Sequence, residues 1–547
     1  MLTIRRTAFG LATAIALSVG ASADDDPSAA AAYSGSMGTV TVDGQQLYRL
    51  SFRPDIPVGN WGLVLDVELF LEEDGDFSER GWEFGSSTEG IDTFLRKIYY
   101  VRYGRPDDDT YLKVGALDDV TLGYGLIMDR YRNTLQYPGI KKTGLQFKLD
   151  SIGGSNWGAE GMINNFQDFE EGSALIGIRL FGRPAGKLEI GVSYVVDLDQ
   201  YGGLRDGDGD GFPDAVDAFP DNAAWALDND GDRVQDELDG DDDNDGKIDV
   251  DPGSGLSAGL IADLEALNDK HGNEKFPIDT VVNRKTPFNK SGIDRDQFAI
   301  FGLDAAYPLI EGKGLQLKLY GQLAFLLDDD DQLSPAAANS QGVAAGNRKA
   351  EGMGVAAPGL WLGMGPLTGQ IEFRHFRDDF DSGYFDNLYE VDRARLDVAS
   401  GRATPKDALL RRHDTVSGVF GRLGTAIADL LYASADYQYL TAATPKQQVH
   451  ANVRLAPSLL ESIPRLALAQ AYYQKNNIGL GLNEEGDPGS EDGFFESTED
   501  TFYGYKLGLE MTGGVSIYWD IRYVFDRGAD LKLERRKIAT IETVFNF

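Results

Sequence analysis

The feature that most restricts this chain is a strict alternation of apolar and polar residues, held for 10 to 13 residues at a stretch. Trp61, Leu63, Leu65, Val67, Leu69 and Leu71 interleave with Gly62, Val64, Asp66, Glu68 and Phe70. Leu188, Ile190, Val192, Tyr194, Val196 and Leu198 alternate with Lys187, Glu189, Gly191, Ser193, Val195 and Asp197. Leu315, Leu317, Leu319, Leu323, Phe325 and Leu327 share a face, as do Tyr503, Tyr505, Leu507, Leu509 and Met511, and then Val515, Ile517, Trp519, Ile521, Tyr523 and Phe525. A period of two puts successive side chains on opposite faces of a β-strand. Soluble strands average ~5–6 residues, whereas a tilted strand crossing a bilayer needs ~9–11. The polar face here carries ions of both signs with Gly and Ser, as a wet interior would, and Tyr and Trp gather near strand ends. The expected fold class is all-β: a transmembrane, antiparallel, up-and-down β-barrel of about 18 strands, within roughly 16–20.

Composition narrows the function classes. The 547 residues contain no Cys, which excludes disulfide scaffolds, thiol catalysis and cysteine-ligated metal sites. A net charge of −37 repels phosphate backbones, so no nucleic-acid partner is expected. The length suits three or four ordinary domains at roughly 150 residues each, or one large barrel. With 66 Gly and 24 Tyr, β structure with tight turns is favoured over a helical bundle.

The two ends carry export and assembly signals. Arg5 and Arg6 precede the apolar stretch Ala8 to Val19, and Ala21-Ser22-Ala23 stands before Asp24. These are the three parts of a secretory signal peptide, expected over residues 1–23. About 12 apolar residues are too few to cross ~30 Å as a helix. At the other end Ala539, Ile541, Thr543, Phe545 and Phe547 share one face. This resembles the C-terminal strand of Gram-negative outer-membrane proteins. The resemblance implies outer-membrane lipid as surroundings and the barrel assembly machinery as a partner, engaged through the strand ending in Phe547. Counting hairpins back from a periplasmic C-terminus puts the short turns inside, among them Pro54–Asn60, Gly104–Asp109, Ser151–Ser155, Arg183–Gly186 and Pro308–Gly312. The long stretches Glu72–Asp92, Leu117–Lys142, Asp328–Glu351 and Asp378–Asp414 then fall outside. Residues 24–199 and 297–547 become two parts of one barrel, and 200–296 an extracellular insert.

That insert is strongly acidic. Between Asp206 and Asp251 lie 17 Asp and one Glu against Arg233 and Lys247. Asp206, Asp208, Asp210, Asp214 and Asp217 hold positions 1, 3, 5, 9 and 12 of a loop, with Gly211 at position 6. Asp228, Asp230, Asp232, Asp236 and Asp239 repeat the spacing, and Asp241, Asp243, Asp245 and Asp249 form a shorter third unit. Alternate carboxylates in a tight loop converge on one centre, and Ca²⁺ is the cation that takes many such oxygens. An EF-hand would need an exiting helix, which Pro213 and Pro220 prevent. The run of 206–251 instead resembles bacterial thrombospondin type 3 repeats, a family in which a chain with little secondary structure wraps calcium ions. Arg233 stands where the second unit should have Gly, and Pro252 leaves the third without an acid at position 12. The alternative is a solvated acidic linker. Residues 257–270 follow at helical spacing and are expected to pack the insert onto the barrel mouth.

No catalytic constellation emerges. Of the four His, His271 and His413 fall in outer segments and His375 on the apolar face with Ile371 and Phe373; His450 alone faces the interior. Opposed interior charges such as Arg374, Arg454, Lys506 and Arg522 against Asp304, Glu372, Asp436 and Asp520 either create a transverse field or pair with one another. The segment Asp118–Lys141 is too apolar for a free surface loop, which leaves a constriction inside the barrel or an extended strand pair above it. The expected function is a porin-like channel for passive diffusion of small solutes, not an enzyme. A surface structural or adhesive calcium-binding protein is the alternative.

Overall fold

The computed structural model describes residues 32–546, apart from 43–44, 72–76, 79–81, 83–96, 136–139, 251–255, 273–276, 280–285, 294, 329–348, 398–400, 411–412, 428–429, 442–445, 480–492, 499, 513–514 and 528–532. The expected signal peptide and Phe547 lie outside the described residues.

The chain is organised by its strands. It opens with β1 (Ala32–Val42), β2 (Gln45–Val58), β3 (Trp61–Leu65), β4 (Val67–Leu71) and the short β5 (Phe77–Ser78). It continues through β6 (Ile98–Tyr103), β7 (Thr110–Gly115), β8 (Gly144–Leu149), β9 (Trp157–Ile163), β10 (Leu175–Ala185) and β11 (Leu188–Asp197). An excursion holding β12 (Ile248–Asp249) and β13 (Ile278–Asp279) precedes β14 (Phe298–Glu311), β15 (Gln316–Asp328), β16 (Gly352–Met364) and β17 (Leu367–Asp378). A second excursion carries the hairpin of β18 (Ala394–Asp397) and β19 (Arg402–Pro405). Then follow β20 (His413–Ile427), β21 (Leu431–Thr441), β22 (Lys446–Leu455), β23 (Leu466–Ile478), β24 (Thr501–Thr512), β25 (Val515–Arg527) and β26 (Leu533–Asn546).

Twenty-two of these strands join one antiparallel sheet, in which sequence neighbours pair. β3 and β4 form one line broken at Asp66, and both pair with β2. The first strand also pairs with the last, Met37 standing opposite Thr543. Because neighbours are antiparallel, the connections fall alternately at two ends. The long ones, after β7, β11, β15, β17 and β23, all fall at the same end, as the alternation count expects. Several turns at the other end are tighter than the sequence suggests. Pro54 and Pro308 lie within β2 and β14, the latter beside a register shift between Pro308 and Ile310. The β2–β3 turn therefore reduces to Gly59-Asn60, with Gly59 at φ +62.

The two faces of the sheet differ in the opposite sense to a water-soluble protein. Ile178, Leu180, Ile190, Val192, Leu303, Ile371, Phe373 and Val419 are exposed on the outer face. Asp66, Asp197, Glu372, Arg374, Asp436 and Arg522 are buried on the inner one. An apolar core exists as well, and it sits against the inner face near the long-connection end. There Leu175, Val195, Phe298, Ile300, Phe376 and Val416 of the strands pack on residues of two connecting segments. The inner face is thus polar along much of its length and apolar where the connecting segments cover it.

Helices are few. α1 (Phe166–Glu171), α2 (Ala258–His271), α3 (Tyr389–Asp392) and α4 (Pro457–Ser462) all lie in connections. α2 forms where the 3.6 spacing expects it, with Ser257 Oγ accepting the Leu260 N–H at 3.3 Å. It buries no residue, however, and Leu260 and Leu267 stay exposed, so the expected packing onto the rest of the molecule is not found. Asp263, Glu265 and Asp269 interrupt its apolar residues, and the helix stays exposed to water. No helix among the described residues is long and apolar enough to cross a membrane, which says nothing of crossing by strands.

Candidate functional site

The segment between β7 and β8 folds back against the inner face. Val120 and Tyr131 exchange backbone hydrogen bonds of 2.9 Å, and Leu122 N–H donates to Met128 O at 3.2 Å, which makes a ladder-like pinch. Gly123 (φ +60) and Gly125 (φ +86) supply the turn at its tip, a conformation L-residues adopt at a cost. Leu117, Val120, Leu122, Leu126, Ile127, Met128 and Tyr131 are all buried in the core cluster. Full burial of such side chains is worth roughly 1.5–3 kcal/mol each, enough to hold the loop down. The open choice between a constriction and a raised strand pair resolves to a loop seated on the inner face.

Inward glycines make room for it. A Cβ at Gly177 would lie 2.9 Å from Leu122 Cδ1, and one at Gly302 would lie 2.5 Å from Ile127 Cδ1. The polar tip is tied to several strands. Gln322 Oε1 accepts from Tyr124 N at 3.2 Å and Leu126 N at 3.3 Å, Gln370 donates to Tyr124 O at 3.2 Å, and the Tyr124 ring stacks on Tyr320 at 4.0 Å. Asp129 pairs with Arg422, and Arg130 with Asp436 at 2.8 Å. The loop thus leaves β7 and reaches β15, β17, β20 and β21.

A second segment, 379–410, packs beside it. Gly383 N donates to Leu126 O at 2.8 Å, Asp129 N to Phe385 O at 3.1 Å, and Phe385 N to Ile127 O at 3.2 Å. Phe380, Tyr384, Phe385 and Tyr389 complete the apolar cluster. Arg393, fully buried, donates to Asp197 Oδ1 (2.6 Å), Ser173 O (2.6 Å) and Asp199 O (2.9 Å). Tyr389 OH donates to the other Asp197 oxygen at 2.8 Å. Glu390 accepts from Tyr131 OH and, at 2.6 Å, from Lys142. Burial alone would raise the Glu390 carboxyl, but Lys142 and Arg393 reverse that and hold it below its ordinary range.

The interior ions mostly pair. Arg179 bridges Asp304 (2.6 Å), Glu160 (3.1 Å) and Glu189 (3.1 Å). Arg374 meets Glu372 at 2.7 Å, and Asp520 lies between Lys506 (3.2 Å) and Arg522 (2.5 Å). Of the two readings of these charges, mutual neutralisation describes most of them. His450 faces inward as expected and meets Asp436 at 2.6 Å and Arg130 at 3.1 Å. His375 meets Ser417 at 2.7 Å, His413 begins β20, and His271 ends α2. Toward the short-turn end the inward Tyr432 and Asn452 are exposed, so the inner face is not filled along its whole length.

The acidic insert repeats one local geometry three times. Position 1 accepts two or three backbone N–H groups, that of position 6 always among them: Asp206 from Gly209 and Gly211 (both 2.8 Å), Asp228 from Gly231 (2.7 Å), Asp232 (3.1 Å) and Arg233 (2.9 Å), Asp241 from Asp245 and Gly246 (both 3.0 Å). Position 9 closes the loop by accepting from position 2: Asp214 from Gly207 (2.6 Å), Asp236 from Asn229 (2.8 Å), Asp249 from Asp242 (2.7 Å). Position 6 has positive φ in all three, at Gly211 (+102), Arg233 (+76) and Gly246 (+85), so Arg233 takes the backbone shape of the glycine it replaces. Oxygens of Asp206, Asp208 and Asp210 lie within 4.8 Å of one another, as do those of Asp228, Asp230 and Asp232, and of Asp241, Asp243 and Asp245. Asp217, at position 12 of the first unit, is buried, and its Oδ2 has no hydrogen-bond partner. Burial, and then the charges of Asp210, Asp208 and Asp214, push its carboxyl up to about 7. Asp239 accepts from Asp241 N at 3.0 Å, at the junction of the second and third units.

No protein-family model matches the chain, and no curated protein does. Among solved structures it is similar to Pseudomonas aeruginosa OccK11 at 10% identity, over 94% of this chain and 95% of that one, with a TM-score of 0.30. It is also similar to the FrpB iron transporter from Neisseria meningitidis (8%, 94% and 81%, TM-score 0.31) and to the siderophore receptor PirA from Acinetobacter baumannii (8%, 94% and 80%, TM-score 0.31). Likenesses this distant decide nothing about what this chain carries.

Proposed function

We propose that the chain is a porin-like outer-membrane channel for passive diffusion of small solutes, narrowed by its own loops and carrying a calcium-stabilised insert on the extracellular side. The observation that carries this reading is the inverted sheet, with exposed Ile190, Val192 and Leu303 outside and paired, buried Arg179 and Asp304 within. Lipid replaces water outside such a sheet, and a polar interior is what a lumen requires. Pairing of β1 with β26 fits closure, which leaves no sheet edge unsatisfied in hydrocarbon. Counting β3 with β4, and β5 with β6, as one position each turns the 22 strands into 20 around the barrel. That is even, as in bacterial single-chain barrels, and wide enough for an aqueous lumen where loops leave space. The long-connection end is then the extracellular one.

The donor set of the insert suits calcium. Ca²⁺ takes 6–8 oxygens; in the first unit Asp206, Asp208 and Asp210 would supply the gathered ligands, with Asp214 and Asp217 completing the set. Asp228, Asp230, Asp232, Asp236 and Asp239 would hold a second ion, and Asp241, Asp243, Asp245 and Asp249 a third. The buried, unpartnered Asp217 oxygen is the observation that favours a cation over a solvated linker. The channel reading is tested by liposome swelling with neutral sugars of increasing size. Uptake of small but not large sugars is expected; impermeable vesicles holding correctly folded protein would overturn it in favour of a surface structural role.

A further inference from the structure

Resting on that reading, we infer that the first calcium unit and the inner loop are mechanically coupled, so that calcium sets how narrow the channel is. The unit is clamped by the segment that returns to the sheet. Lys290 N donates to Gly211 O at 2.7 Å, and Ser291 Oγ donates to Asp210 O at 3.2 Å. Lys290 Nζ also lies 3.5 Å from Asp199, in the root of the insert. The root is gripped from the other side. Arg393 holds Asp197 and the Asp199 carbonyl, and Tyr384 OH donates to Gln200 Oε1 at 2.8 Å. Gly203 packs so closely on the Arg393 side chain that it has no room for a Cβ. Tyr384 and Arg393 belong to the segment that bonds Leu126, Ile127 and Asp129 of the inner loop through its backbone. From the Asp210 carbonyl to the inner loop the links run through the exposed Ser291 hydroxyl and Lys290, then through buried Arg393 and Tyr384, and last through backbone bonds to Leu126, Ile127 and Asp129.

The chemistry supplies a reason for two states. The Asp206, Asp208 and Asp210 oxygens gather within 4.8 Å, and a bound dication makes that gathering favourable. Removing it leaves like charges that separate, which pulls Gly211 and Asp210 from the Lys290–Ser291 clamp. The inner loop is seated by apolar side chains in glycine-floored recesses, and such packing is either engaged or not. A ligand shifts an equilibrium only by binding one state better; calcium binds the gathered unit, and so favours the seated loop.

The test is planar-bilayer conductance of the full chain in millimolar calcium, then in chelator, then in magnesium at equal ionic strength. Trypsin cleavage after Arg205 and Arg233 is followed in parallel to report whether the insert is loaded. The expected result is a conductance at least twofold larger in chelator, reversed by calcium and not by magnesium. In Lys290→Met/Ser291→Ala, and more completely in Arg393→Met, calcium should still protect the insert while conductance stops responding. The surface pair keeps the test available if Arg393→Met folds poorly. Protection by calcium with unchanged wild-type conductance, an equal response to magnesium, or variants that respond like wild type would each overturn the coupling alone. Trypsin cleavage indifferent to calcium would overturn the calcium reading together with it.

Discussion

Val192 shows at one residue why the surroundings of this sheet matter. It sits mid-strand on the outer face, 45% exposed, between Ile190 and Tyr194. In water, Val192→Arg would change stability little; at a bilayer midplane an outward Arg costs roughly 2–4 kcal/mol. We expect the larger penalty, read as a shift in denaturant midpoint for the protein folded in lipid vesicles, and a shift near zero would speak against lipid on that face. Asp296 illustrates the long-connection end, where burial and then Asp407, with Asp328 and Asp199 beyond, push its carboxyl up to about 8. The folded state therefore binds this proton more tightly than the unfolded chain, and the stability it brings is lost as pH rises from about 4 through 8. Asp296→Asn should flatten that slope, stabilising the protein at pH 9 and hardly at pH 4, by thermal unfolding in detergent. An unchanged slope would mean the carboxyl is not held neutral.

The strands were the legible elements, because a period of two shows in side-chain order alone; Leu188–Asp197 and Val515–Arg527 fall where the alternation puts them. Loop placement was only half legible. The apolar content of Asp118–Lys141 signalled burial, but which face received it depended on contacts about 200 residues away, such as Gln322 with Tyr124. A local signal did exist: Gly177, Gly302 and Gly354 occupy inward strand positions, where a side chain would have been expected. Each floors a recess, the last for Phe380. Gly354→Val should force Phe380 from its seat, at about 1–3 kcal/mol for overpacking, and make the 379–410 segment more open to protease while β16 stays paired. Unaltered proteolysis would show that the recess is not needed. The acidic units were legible as spacing, whereas the positive φ of Arg233 and the burial of Asp217 emerged only from the fold. Trypsin should cut after Arg233 and Lys247 within minutes in chelator and be blocked by calcium; equal cleavage in both would reduce the insert to an acidic linker.

At the scale of the whole molecule, three features form one design: an apolar exterior, an interior of neutralised ions, and a loop that leaves β7 to brace strands as far as β21. The expected barrel followed from strand length and from the sides on which long connections fall. What could not follow was the apolar core against the inner face of the sheet, since residues such as Val195 and Ile300 read from sequence as ordinary strand positions. They are buried because connecting segments cover them. Under the proposed function, solutes pass through the lumen and the inner loop limits them. The most direct measurement is single-channel conductance of the refolded protein beside a variant in which residues 121–130 are replaced by a short glycine linker. The account predicts discrete steps for the wild type and steps severalfold larger for the variant. Equal steps would remove the constriction from the loop, and silence from both folded proteins would contradict the channel itself.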